Sequence, residues 1–122
     1  MSDQFLEVKD VYRFFGGLTA LANVSFVVMP QTTVGVIGPN GAGKTTQFNL
    51  ITGVIPCSQG NIFLKGQQIT FLEEYKIARL GVSRTFQKVQ LFNRLNVLQN
   101  IMVGAQMRHK PFCSSIPMPL HV

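Results

Sequence analysis

The sequence predicts an α/β fold, and a few short stretches carry that prediction. Residues 5–11 and 22–29 have the alternation and the β-branched, aromatic composition of strands. Residues 33–37 (TVGVI) form a continuous apolar run of the kind buried on both faces of a parallel sheet. That run leads straight into the glycine-rich stretch GPNGAGKTT at 38–46, and from Gly43 the pattern turns helical.

The chain has 122 residues, of which 46% are hydrophobic, enough for one domain with a core. No apolar run approaches the ~18–20 residues of a membrane helix. The start, MSDQFLEVKD, lacks a basic segment followed by an apolar one, so neither a secretory signal nor a membrane span is expected.

Taken in order, Phe5, Leu6, Val8 and Val11 alternate with polar residues in the first strand, which Gly16-Gly17 breaks as a turn. The second strand, ANVSFVVM, closes at Pro30 and reads as its antiparallel partner. After the glycine loop, Phe48, Leu50 and Ile51 cluster on one side of a helix that Gly53 and Pro56 end. A strand is expected over 61–64, with a Lys65-Gly66 turn behind it. A short helix over 73–80 stops at Gly81, and a further strand is expected over 81–86. Asn96 can cap the last helix, with Gln99 completing a variant capping box. Val97, Leu98, Ile101 and Met102 would be its inner face. Pro111, Pro117 and Pro119 make the end of the chain irregular.

The net charge is +6, and its distribution is uneven. All carboxylates (Asp3, Glu7, Asp10, Glu73, Glu74) precede Tyr75, whereas Lys76, Arg79, Arg84, Lys88, Arg94, Arg108 and Lys110 follow with no acid among them. Either a basic phosphate-facing surface or a chain that stops before its acidic residues gives this pattern. Cys57 and Cys113 lie far apart in no metal spacing and are expected as free thiols. His109 and His121 near Cys113 would still lack a fourth zinc ligand.

The chemistry sits at 38–46. Gly38-Pro39-Asn40-Gly41-Ala42-Gly43-Lys44-Thr45 satisfies the phosphate-loop pattern in full. Its glycines let successive N–H groups point inward at phosphate oxygens, and the helix beginning near Gly43 adds unpaired amides and a positive dipole end. Lys44 would reach the β- and γ-phosphates of ATP, the Thr45 hydroxyl the Mg2+ shell, and Thr46 the next phosphate inward.

The surroundings of the loop resemble the ATP-binding subunits of ABC transporters, most of all those of branched-chain amino acid importers. The matching stretches are FGGLTALANVSF (15–26), VGVIGPNGAGKTTQFNLITG (34–53), IARLGVSRTFQ (77–87) and LFNRLNVLQNIMVGA (91–105), in family order and at family spacing. The resemblance implies the N-terminal half of a P-loop NTPase domain, with an antiparallel β subdomain and an incomplete RecA-like core over residues 5–105. Residues 106–122 match nothing in the family and are expected to form a divergent, irregular tail. It further implies that Phe15 stacks on adenine, and that Gln87 reaches magnesium and the attacking water. Residues 88–96 would dock the permease, and a second ATP-binding subunit would pair across two ATP molecules at the cytoplasmic face of the membrane. Departures occur at Gln31 and Thr32, where the family has a Gly-Glu pair, and at Gln47, where leucine is common.

The residues lack an LSGGQ-type signature, and no Asp or Glu after Glu74 could orient water or complete a metal shell. Neither His109 nor His121 has the context of the family's switch histidine. ATP binding without turnover is therefore expected of these residues, from a truncated or frameshifted transporter subunit. An isolated parallel-type strand would leave the fragment marginally stable and prone to associate. A stand-alone ATP-binding module is the alternative. A nucleic-acid-binding protein is a third reading, with thin support from the aromatic and basic residues at Arg84–Phe86 and Phe92–Arg94; none is expected as a partner.

Overall fold

The computed structural model describes residues 4–85 and 91–105 in two units, divided after Arg84. In the first unit, β1 (Leu6–Phe15) and β2 (Leu18–Val28) form a long antiparallel hairpin around the Gly16-Gly17 turn. Then come α1 (Lys44–Ile51), β3 (Gln59–Leu64), β4 (Gln67–Gln68) and α2 (Glu74–Arg79). The sheet order is β2-β1-β3-β4, antiparallel throughout. The second unit holds α3 (Val97–Ala105).

β1 runs further than its alternation indicated because it contains a bulge. Asp10 has φ 47, and the pairing with β2 shifts between Val8 and Val11. The extra residue changes the phase of the strand, so Val8 and Val11 are both buried although three positions apart. Ser25 on β2 holds the bulge: the Asp10 amide donates to its Oγ at 2.8 Å, and its hydroxyl donates to Asp10 Oδ1 at 3.1 Å. On the other side Gly60 of β3 lies against it. A Cβ at Gly60 would fall 2.3 Å from the Asp10 carbonyl oxygen.

The core joins Val8, Val11 and Leu21 of the hairpin to Leu50, Ile62, Leu64, Ile69 and Ile77. Each of the first unit's helices contributes one fully buried residue, Leu50 from α1 and Ile77 from α2. Thr70 is the buried polar exception, and the Ile62 amide donates to its hydroxyl at 2.8 Å. Phe48, expected on the inner side of α1, is 46% exposed, because the helix turns only Leu50 fully inward. The Lys65-Gly66 turn forms as expected, with positive φ at both residues, and registers Leu64 opposite Gln67.

Two expected strands are not formed. Residues 33–37 lie outside all the strand pairings, with Val34 50% and Ile37 95% exposed. Residues 81–85 are likewise unpaired; Phe86, the end of that expected strand, lies outside the described residues. A strand exists only through hydrogen bonds to a neighbour. Here the edges of the sheet are β2 and β4, and neither takes up these segments. Gln31, at one family departure, has φ 58, a conformation more natural for glycine. The Thr32 hydroxyl donates to the Met29 carbonyl at 2.7 Å and closes that turn.

In the second unit the capping box of α3 is reciprocal. The Gln99 amide donates to Asn96 Oδ1 at 2.8 Å, and the Asn96 amide to Gln99 Oε1 at 2.9 Å. The face expected to turn inward is exposed: Val97, Leu98, Ile101 and Met102 are all open. Among the described residues this unit has no second helix or strand to cover them.

The close approach at the bulge gives a test. Gly60→Ala is expected to destabilise the first unit by about 3 kcal/mol, since both its φ of 93 and the Asp10 carbonyl oppose a side chain. Gly66→Ala meets a positive φ but no neighbour within 4 Å and should cost about 1 kcal/mol. Urea midpoints of the two variants measure the difference.

Candidate functional site

The glycine loop forms a closed turn at the N-terminus of α1. The Ala42 amide donates to the Pro39 carbonyl at 3.2 Å, and Gly43, with φ 88 and ψ 5, starts the helix in the left-handed conformation. Two constraints require glycine there. An added Cβ would sit 2.7 Å from both the Ala20 carbonyl and a Leu21 methyl of β2. The positive φ disfavours any other residue as well. The loop is thereby seated on the sheet.

No side chain caps α1, and its first turn contains no acid. The Gln47 amide bonds the Gly43 carbonyl at 2.9 Å, so the amides of Lys44, Thr45 and Thr46 precede the first intrahelical bond. Such amides, with the helix dipole behind them, are an anion site. The Lys44 ammonium curls back over the loop and donates to the Gly38 and Pro39 carbonyls, each at 2.6 Å. That accounts for two of its three donors. Thr45 is exposed and Thr46 half-buried, and neither hydroxyl makes a hydrogen bond among the described residues.

A line of contacts runs from this loop to the candidate aromatic. Gly43 touches Leu21, Leu21 registers opposite Arg13 on β1, and the Arg13 guanidinium lies over the Phe15 ring at 4.5 Å from its centroid. Phe15 is 43% exposed and lies outside the core cluster of the described residues. Arg13 had no place in the sequence reading. The signal lay in its i, i+2 spacing to Phe15, which puts both on one face of the strand beyond the bulge.

The structure thus gathers Gly38, Asn40, Gly41, Ala42, Gly43, Lys44, Thr45 and Thr46 into one loop and helix end, with Phe15 on the adjoining hairpin. Gln87 lies outside the described residues, as do Lys88, Cys113, His109, His121 and the whole of 106–122. Cys57 is a free, half-buried thiol pushed upward in pKa by its burial.

A phosphate-loop sequence at the start of a helix that is seated against a sheet is the mark of a P-loop NTPase fold. Residues 21–119 match the ABC transporter family, and the chain belongs to it. Over 110 residues it is 44% identical to the high-affinity branched-chain amino acid transport ATP-binding protein LivG of Escherichia coli, covering 90% of this chain and 43% of LivG. It is 48% identical over 109 residues to the corresponding BraF protein of Pseudomonas aeruginosa, covering 89% of this chain and 42% of BraF. The chain therefore spans less than half the length of these relatives. Among solved structures, the ATP-binding cassette MJ1267 superposes with a TM-score of 0.75 at 33% identity, over 84% of this chain and 41% of that one. The cassette MJ0796 shares the fold, with a TM-score of 0.74 at 21% identity over 90% and 50% of the two chains. The chain thus has the fold of the N-terminal part of an ABC ATPase cassette.

Seating of the loop on β2 can be tested through Gly43. Gly43→Ala is expected to lower stability by about 2 kcal/mol, because the backbone carbonyl of Ala20 cannot retreat as a side chain could. Lys44→Ala loses the bonds to the Gly38 and Pro39 carbonyls, which water can replace, and should cost less, about 1 kcal/mol. Thermal unfolding of both variants reads the contrast.

Proposed function

We propose that the chain binds Mg-ATP at the 38–46 loop, as the nucleotide-binding part of a subunit that powers import of branched-chain amino acids. The observation that carries this is the arrangement at Lys44: its ammonium is held over the loop by the Gly38 and Pro39 carbonyls, beside the uncapped amides of α1. The uncapped amides of Lys44, Thr45 and Thr46, with loop amides other than that of Ala42, which donates to the Pro39 carbonyl, would hold the phosphates, and the remaining Lys44 donor would meet the β- and γ-oxygens. Phe15 offers an exposed ring to the adenine.

The donor set suits magnesium. The Thr45 hydroxyl is a hard oxygen donor, exposed and not engaged elsewhere among the described residues. Together with phosphate oxygens and water it would help hold the ion, and Gln87 is the proposed further ligand. The metal would neutralise phosphate charge, while Lys44 and the loop amides orient the γ-phosphate.

Likeness to LivG and BraF, both branched-chain amino acid transport ATP-binding proteins, supports the amino acid assignment. A second ATP-binding subunit, permease partners and a peripheral place at the cytoplasmic membrane face belong to the same proposal. No helix among the described residues is long and apolar enough to cross a membrane.

Titration calorimetry with Mg-ATP tests the reading. Saturable binding is expected, weakened roughly 10–100-fold in Lys44→Ala through loss of charge-assisted hydrogen bonds. Wild-type protein that takes up no Mg-ATP would overturn it.

A further inference from the structure

Arg13 stands at the meeting point of three elements. It lies on β1, opposite Leu21 of β2, and its Nη1 donates to the Pro56 carbonyl, in the segment after α1, at 2.8 Å. The same segment is sewn to β1 by the Ser58 amide on the Tyr12 carbonyl at 3.1 Å and the Phe14 amide on Ser58 Oγ at 3.2 Å. Arg13 is half-buried, and its Nε is buried without a hydrogen-bond partner among the described residues. Its guanidinium is therefore held between one carbonyl and one aromatic face, that of Phe15.

We infer that Arg13 is a positioning residue for the purine: it braces one face of Phe15 so that the other is presented to the base of a bound nucleotide. This rests on the nucleotide-binding reading above. An unbraced phenylalanine at an exposed strand end samples several rotamers, and ordering it on binding opposes affinity. A guanidinium held over the ring favours that rotamer in advance, and a partly desolvated cation holds an aromatic face more strongly than an exposed one. The Pro56 bond ties the braced ring to the segment that follows the phosphate-loop helix. Base platform and phosphate loop then share one frame, through Leu21 against Gly43 on one side and Pro56 on the other.

The consequence is selective. Loss of Arg13 should weaken recognition of the base and leave recognition of the phosphates intact. Calorimetry on the full chain with Mg-ATP and with Mg-tripolyphosphate separates the two. For Arg13→Gln, the affinity for Mg-ATP is expected to fall about 3–10-fold with that for Mg-tripolyphosphate unchanged. Arg13→Lys keeps the charge but not the plane and should fall in between, which retains the test if the glutamine variant folds poorly. In a Phe15→Leu background, Arg13→Gln should have no further effect. Equal weakening of both ligands in the two Arg13 variants, or unchanged Mg-ATP affinity, would overturn the bracing role while wild-type binding stands. A wild-type chain that binds neither ligand would instead overturn the nucleotide reading, and this inference with it.

Discussion

The backbone contact between Gly43 and β2 is the constraint on which the site depends. At this point a loop built for phosphate is pressed to 2.7 Å, measured from where a Cβ would be, against the Ala20 carbonyl and Leu21. The contact has no side chain on the loop side, so it leaves the loop amides unobstructed. It also transmits the position of the hairpin to the helix start, and Leu50 continues the attachment into the core about two turns later. Without the contact, α1 would still be helical. Its first amides would have no defined relation to Phe15.

That relation depends in turn on the bulge at Asp10. A regular strand would alternate through residues 6–15 without interruption, and Val8 and Val11 could not both face the core. The bulge, closed by Ser25 and backed by Gly60, lets Val8 and Val11 both face the core. After two further register shifts against β2, at Val11/Arg13 and Arg13/Phe14, the row from Val11 continues to Arg13, whose guanidinium lies over Phe15. Residues at the inner end of this row are buried and those at the outer end are open, with Phe15 last. An irregularity in one strand thus delivers an aromatic ring to the rim of the sheet near the loop.

How much of this was legible in the sequence follows from the range of the interactions. The glycine loop, the Lys65-Gly66 turn and the Asn96–Gln99 capping box each depend on residues within a few positions, and each forms. The antiparallel hairpin was legible from alternation, but its extension to Phe15 was not, because the bulge breaks a period of two. Strand formation at 33–37 and burial on α3 depend on partners distant in the chain, and an apolar pattern states only that a partner is wanted. Ile37 and Val97 carry that pattern and remain exposed. Arg13 is not legible in the sequence because its placement needs three elements together: the Phe15 face, the Pro56 carbonyl and the register to Leu21.

With 33–37 unpaired, the two halves of the loop are held by different means. The second half, from Ala42 onward, is fixed by Gly43 against β2 and by the helix behind it. The first half, Gly38-Pro39, follows an exposed segment and has no strand to fix it. What joins it to the rest is the Ala42 amide on the Pro39 carbonyl and the Lys44 ammonium on the carbonyls of both residues. Lys44 is therefore a clasp as well as a cation. An ammonium has three donors, and closing the loop uses two of them, so closure and phosphate recognition draw on the same group. The lysine of a phosphate loop is usually understood as a charge for the ligand. In this chain its first work is to give the loop its shape, and that shape sets where its remaining donor lies.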